Sequence, residues 1–210
     1  MLDSRLRTIL DPLLDRAAAP LAAHGASADA LTAVGFVLGL GACVAIATEA
    51  YGLGLALIIA SRVSDGLDGA VARRTGVTDF GGFIDTVADF LFYAAVPFAF
   101  AVADPDRALA AAFLILSFVG TGTSFLAFAA IAARRAMTTD RYGLKSIYYL
   151  GGLTEGAETI LVFLLMAILP RWFEPLAYGF GALCWLTTAG RVWRGVAAFR
   201  RARRPPQSTG

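Results

Sequence analysis

Six apolar stretches constrain this chain more than any other feature of its sequence. They lie near residues 29–49, 52–73, 82–103, 107–133, 153–170 and 174–195. Each is long enough to cross a bilayer, because a membrane-spanning helix needs about 20 predominantly apolar residues. The sequence therefore predicts an all-α integral membrane protein with six transmembrane helices.

The composition supports this assignment to the membrane. Apolar residues make up 58% of the 210 residues, and charged residues only 16%. Soluble globular chains carry about 25% charged residues, and a small soluble domain leaves too much surface exposed to hide this much apolar area. The composition therefore argues against a soluble enzyme and against a nucleic-acid-binding protein.

The segment before the first span has a different pattern. Its apolar residues recur at helical spacing, as Leu2, Leu6, Ile9 and Leu13. Charged residues lie between them, which is typical of an amphipathic helix in the membrane interface. The predicted organisation is an interfacial helix over 1–23, a six-helix transmembrane domain over 24–196 and a basic cytoplasmic tail over 197–210.

The positive charges predict the orientation of the chain. The terminal segments, the loop between the second and third spans and the loop between the fourth and fifth carry 15 of the 18 Lys and Arg residues. The three alternate connections carry two, Arg107 and Arg171. Because Lys and Arg stay on the cytoplasmic side, both termini are predicted to be cytoplasmic, in a protein of the cytoplasmic (inner) membrane.

Four aspartates lie within or beside the second and third spans. Asp65 and Asp68 are three residues apart and share one helix face, while Asp85 and Asp89 are four apart and share a face of the next helix. A short cytoplasmic loop makes these helices antiparallel neighbours, so the two faces can converge. Carboxylates at membrane depth are costly, and they indicate a functional site.

Carboxylates this close need cations to neutralise them. Mg²⁺ and Mn²⁺ prefer oxygen ligands, whereas zinc prefers His or Cys. Gly66 and Gly69 leave room for a ligand near the backbone, and Arg73 can pair with a phosphate. A two-metal carboxylate site suits phosphoryl transfer, because the ions polarise the phosphate and a carboxylate can accept a proton.

The pattern Asp-x-x-Asp-Gly-x-x-Ala-Arg, followed by Gly-x-x-x-Asp-x-x-x-Asp, resembles the signature of the CDP-alcohol phosphotransferase family. The eight fixed positions are Asp65, Asp68, Gly69, Ala72, Arg73, Gly81, Asp85 and Asp89. Seven residues separate Arg73 from Gly81, one fewer than in the commonest form of the motif. This change falls in the loop and leaves the spacing within each helix intact.

The resemblance implies transfer of a phosphatidyl group from CDP-diacylglycerol to an alcohol, with release of CMP, in phospholipid biosynthesis. Asp65, Asp68 and Asp85 would hold two divalent cations, Mg²⁺ or Mn²⁺. Asp89 would complete the metal site and act as the general base on the acceptor hydroxyl. The resemblance also implies a homodimer.

The resemblance assigns the donor pocket to residues near the end of the second span. Gly69, Ala72 and Arg73 would line the pocket for the cytidine diphosphate, beside Asp65. Asp29, which begins the first span, fits either a helix cap or a donor contact.

Candidates for acceptor binding are less specific. They are Arg62, Arg134, Arg141, Lys145 and Glu158. Arg62 fits either a phosphate contact or an ion pair with Asp65, and the three cations of the loop after the fourth span also fit the positive-inside rule. Glycerol 3-phosphate, inositol phosphate, serine and a second lipid alcohol all suit the site.

Two other functions fit the sequence less well than phosphatidyl transfer. A cation or proton transporter needs acidic residues spread across the membrane depth, whereas these four aspartates cluster at one end. A non-catalytic scaffold has no need of four costly charges.

The first span also carries a GxxxG pattern, Gly35 to Gly39, which fits close packing either within the bundle or between subunits.

Overall fold

A computed structural model describes residues 2–134 and 154–201, with side chains from 10 to 134 and from 154 to 199. The described residues form seven α-helices and no strand. The helices are α1 (Leu2–Ala23), α2 (Ala28–Ala47), α3 (Tyr51–Thr75), α4 (Asp79–Ala103), α5 (Ala108–Arg134), α6 (Gly156–Ile168) and α7 (Phe173–Arg201). The prediction of an all-helical chain is confirmed for this part of the molecule.

Several helices are long and apolar enough to cross a membrane. The segments Ala28–Ala47, Asp79–Ala103 and Pro105–Arg134 qualify singly, and Gly156–Ile168 with Pro170–Phe199 qualifies as one pair bent by 119°. The described residues thus hold three or four candidate spans, as a membrane protein requires. The arrangement of six spans stays a prediction.

Helix α3 shows why fewer helices qualify as spans by length and composition than the six that the sequence predicts. Its 25 residues are long enough to cross a bilayer of about 30 Å. From its middle onward it carries Arg62, Asp65, Asp68 and two arginines in its last turn, so its composition is too polar for an ordinary lipid-facing helix. Helix α6 has the opposite character, because it is apolar but only 13 residues long.

The helix ends shift some of the predicted boundaries. Helix α4 begins at Asp79, three residues before the expected start, because the Thr78 hydroxyl accepts a hydrogen bond of 3.0 Å from the Gly81 amide. Helix α7 continues to Arg201, so the first residues predicted for the basic tail are helical. Ser27, not Asp29, occupies the N-cap position of α2, and the capping interpretation of Asp29 was wrong.

The GxxxG pattern of α2 packs within the chain. A Cβ atom at Gly35 would lie 3.3 Å from the Ser61 carbonyl oxygen on α3. A Cβ at Gly39 would lie 2.9 Å from the Phe92 ring on α4. The two glycines therefore let α2 approach α3 and α4 closely, which holds the site helices in register.

A stability prediction follows from this packing. Gly39→Ala places a methyl group against the buried Phe92 ring, whereas Gly41→Ala meets only Leu57, at 3.6 Å. Both changes gain the same helix propensity, so we expect Gly39→Ala to be about 1–3 kcal/mol less stable than Gly41→Ala, the usual cost of overpacking. Thermal unfolding in detergent measures the difference, and equal melting temperatures would contradict the close approach.

The amphipathic helix α1 packs against the site helix. Ala18 of α1 and Ala70 and Val71 of α3 are fully buried in one cluster. The Asp15 carboxylate pairs with the Arg73 guanidinium at 3.1 Å. Besides its predicted place at the interface, α1 is thus attached to the part of α3 that carries the sequence motif.

Candidate functional site

Three of the four predicted aspartates converge. One carboxylate oxygen from each of Asp65, Asp68 and Asp85 lies within 4.8 Å of the others. Helix periodicity places the first two on one face of α3, and the antiparallel packing of α4 brings the third to the same depth. Asp68 is the most enclosed, with 6% exposure, and its Oδ2 accepts a hydrogen bond of 2.6 Å from the Thr32 hydroxyl of α2.

This arrangement fits a hard divalent cation. All three donors are carboxylate oxygens, which Mg²⁺ and Mn²⁺ prefer. Their separation allows one ion to contact all three side chains. The Thr32 hydrogen bond orients Asp68, as partners of metal ligands commonly do.

The fourth aspartate has a different partner. The Arg62 Nη1 donates to Asp89 Oδ1 at 2.7 Å and lies 3.5 Å from Asp65 Oδ1. The Tyr93 hydroxyl makes a longer contact of 3.4 Å with Asp89 Oδ2. Asp89 thus stands beside the cluster of three carboxylates and is held by an arginine.

Two cavities meet at the carboxylates. The first, of about 600 Å³, lies among the starts of α2 and α4 and the end of α3. The second, of about 580 Å³, lies among α1, α3, α4 and α6. The residues that line both are Asp68, Gly69, Arg73 and Asp85. A molecule in either cavity would therefore reach the same carboxylates.

The predicted donor-binding residues border the first cavity. Gly69, Ala72 and Arg73 line it together with Asp29 and Thr32. Asp65 lines the second cavity instead, although its carboxylate reaches the shared cluster. The Arg73 guanidinium is about half exposed while paired with Asp15, so it borders the cavity with an accessible charge.

The predicted acceptor-binding residues are dispersed. Arg62 lines the second cavity. Glu158 accepts a hydrogen bond of 3.2 Å from the Glu155 amide at the start of α6, a position that stabilises a helix N-terminus. Arg134 is exposed at the end of α5, and Arg141 and Lys145 lie outside the described residues.

Besides the ion pair of Arg62 with Asp89, sequence reasoning missed three contacts of the site. Thr32 binds Asp68 from α2, Tyr93 contacts Asp89, and Asp15 pairs with Arg73. Tyr93 lies one helical turn after Asp89, so the spacing of these two residues could have predicted their contact. The other two join residues far apart in the sequence, and no local pattern marks such contacts.

Known proteins resemble this chain in sequence and fold. The model of the CDP-alcohol phosphatidyltransferase family matches residues 25–193. The inner membrane protein YnjF of Escherichia coli is 49% identical over 97% of this chain and 100% of its own. An archaetidylinositol phosphate synthase of Methanothermobacter thermautotrophicus is 41% identical, over 41% of each chain.

A solved structure shares the fold. The phosphatidylinositol phosphate synthase of Mycobacterium tuberculosis, crystallised with CDP-DAG bound, superposes with a TM-score of 0.55. It is 21% identical and covers 95% of this chain and 98% of its own. The family match spans the converging aspartates, the first cavity and the part of the second cavity that lies outside α1. The chain belongs to the CDP-alcohol phosphatidyltransferase family.

Proposed function

We propose that this protein transfers a phosphatidyl group from CDP-diacylglycerol to an alcohol and releases CMP. The observation that carries the proposal is the convergence of Asp65, Asp68 and Asp85 at the junction of two cavities. A transferase of this kind must bring a nucleotide-linked donor and a hydroxyl acceptor to one set of charges. Donor binding is supported by the CDP-DAG bound in the structurally similar mycobacterial enzyme.

The donor nucleotide occupies the first cavity in this proposal. Gly69 and Ala72 present little side chain there, so the diphosphate can approach the α3 backbone. Arg73 exchanges its exposed partner Asp15 for a phosphate oxygen, since an exposed ion pair is worth at most about 1 kcal/mol. The acyl chains remain in the lipid.

The acceptor enters through the second cavity, where Asp89 lies. The hydroxyl oxygen of the acceptor attacks the donor phosphorus that carries the diacylglycerol. The bond from that phosphorus to the oxygen that bridges the two donor phosphates breaks. CMP leaves with the electron pair. Asp89 accepts the hydroxyl proton on Oδ2, because Oδ1 is held by Arg62 at 2.7 Å whereas Oδ2 has only the longer contact of 3.4 Å with Tyr93.

We propose that Asp65, Asp68 and Asp85 hold Mg²⁺ or Mn²⁺. Such an ion, when bound, supplies charge that polarises the phosphate and stabilises the departing CMP. The chain contributes the fixed positions of the carboxylates, with Asp68 oriented by Thr32. The sequence predicts two cations held by four aspartates. Three of these aspartates converge, which is enough for one cation, so the second cation stays a prediction.

Inositol phosphate is the first acceptor to test. The curated relatives from two archaea are named archaetidylinositol phosphate synthases. The cations predicted to bind an acceptor phosphate, Arg141 and Lys145 among them, remain candidates for this contact. Glycerol 3-phosphate, serine and a lipid alcohol complete the set of acceptors.

The membrane arrangement completes the proposal. Six spans with both termini in the cytoplasm place the α3–α4 loop, and with it the aspartates, at the cytoplasmic face. The distribution of Lys and Arg supports this orientation. We also propose a homodimer, and crosslinking of the purified protein in detergent would reveal it.

The first experiment measures CMP release from CDP-diacylglycerol by the purified protein in detergent. We expect release that depends on Mg²⁺ or Mn²⁺ and on one acceptor among those named above. Chelation by EDTA should stop the reaction, and addition of the metal should restore it. Metal-independent release, or none with any acceptor from a folded protein, would contradict the proposal.

A further inference from the structure

Arg62 lies between two of the four aspartates. Its Nη1 is 2.7 Å from Asp89 Oδ1 and 3.5 Å from Asp65 Oδ1. The sequence places Arg62 one helical turn before Asp65, and the packing of α4 against α3 brings Asp89 to the same guanidinium. One positive charge therefore interacts with a carboxylate from each of the two helices.

The guanidinium is held in this position by its surroundings. Its Nη2 donates to the Ser61 hydroxyl at 3.2 Å, and its carbon lies 4.6 Å from the centre of the Phe92 ring. Phe92 is 1% exposed, so the ring is part of the packed core. Such stacking over an aromatic ring favours a cation and fixes its orientation.

The burial of Arg62 supports the same conclusion. Its side chain is 16% exposed, and its Nε is buried and has no hydrogen-bond partner within the described part of the chain. A buried charge is tolerated when it is paired with an opposite charge. Asp89 and Asp65 supply that pairing, so the arginine and these carboxylates depend on one another.

A second divalent cation would compete with this arginine. An ion bridging Asp65 and Asp89 would have to bind where the guanidinium lies, against its positive charge. One oxygen from each of Asp65, Asp68 and Asp85 lies within 4.8 Å of the others, so a first ion can contact these three side chains while Arg62 stays paired with Asp89.

We propose, on the basis of the function proposed above, that Arg62 takes the place of a second divalent cation. The chain then binds one divalent cation, at Asp65, Asp68 and Asp85. Arg62 acts as a positioning residue, which neutralises Asp89 and holds its carboxylate toward the acceptor cavity.

Counting bound Mn²⁺ tests this inference without any turnover. The protein in detergent, without donor, is equilibrated with MnCl₂, and bound ions are counted by electron paramagnetic resonance. We expect one ion per chain for the unmodified protein, and still one for Asp89→Asn and for Arg62→Lys. We expect a second ion in Arg62→Met, and its loss again in the double variant Arg62→Met, Asp89→Asn.

Several results would overturn the inference. They are two ions or none in the unmodified protein, loss of an ion in Asp89→Asn, or a single ion in a folded Arg62→Met variant. If Arg62→Met does not fold, the unmodified protein, Asp89→Asn and Arg62→Lys still decide the question.

CMP release by the same preparation separates this inference from the proposed function. Two ions with CMP release would overturn the inference alone. One ion without CMP release would overturn the proposed function alone.

Discussion

Asp68→Asn is expected to abolish both cation binding and CMP release. Asp68 is the most buried of the three converging aspartates, and the change removes its charge with almost no change in shape. The Thr32 hydroxyl can still donate to the amide oxygen of the new side chain, so the local packing survives. Loss of the cation removes several kcal/mol of transition-state stabilisation, which corresponds to a fall in turnover of about 10³-fold or more.

The matched control for this prediction is Asp79→Asn. Asp79 begins α4 and is exposed, so the same chemical change there should leave Mn²⁺ binding and turnover close to those of the unmodified protein. Binding is measured by Mn²⁺ titration and turnover by CMP release. Normal Mn²⁺ affinity in Asp68→Asn would remove this residue from the cation site.

Asp89→Asn is expected to lower turnover by about 10²–10⁴-fold, the usual contribution of a general base. The amide cannot accept the proton of the acceptor hydroxyl. Its oxygen can still accept the hydrogen bond from Arg62, which preserves the contact between α3 and α4. Cation binding should be unchanged, in contrast to Asp68→Asn.

The control for Asp89→Asn is Asp104→Asn. Asp104 also pairs with an arginine, Arg107, at 3.1 Å, but it follows the opposite end of α4. We expect near-normal CMP release from this variant, with melting temperatures measured for both proteins. Normal turnover in Asp89→Asn would refute Asp89 as the base, and loss of folding would instead indicate that its ion pair with Arg62 is structural.

Much of the candidate site could be predicted from local spacing. Asp65 and Asp68 share a helix face because of the helical period, and a short loop returns the chain so that Asp85 meets them. The convergence of these three carboxylates bears out that reasoning. The same spacing argument placed Asp89 in one group with them, and this part stays a prediction. In the structure Asp89 pairs with Arg62, whose guanidinium also lies 3.5 Å from Asp65.

The acceptor candidates show where this reasoning stops. A basic or acidic residue near a membrane boundary can bind a ligand, begin a helix or follow the positive-inside rule, and its type does not distinguish these cases. Glu158 accepts a hydrogen bond from the amide of Glu155, the residue that caps the N-terminus of α6. The sequence likewise left open whether the GxxxG pattern packs within the bundle or between subunits. The contact of Gly39 with Phe92 on α4 shows that it packs within the chain.

The amino-acid sequence alone specifies the helical membrane class, the family signature and the face on which each aspartate lies. These properties depend on composition and on spacing within single helices, where geometry is regular. The tertiary structure decides that Arg62 binds Asp89, that Thr32 orients Asp68 and that α1 attaches to α3 through Asp15. Such contacts depend on the register and angle at which helices cross, and these are set by close packing of side chains over the whole bundle.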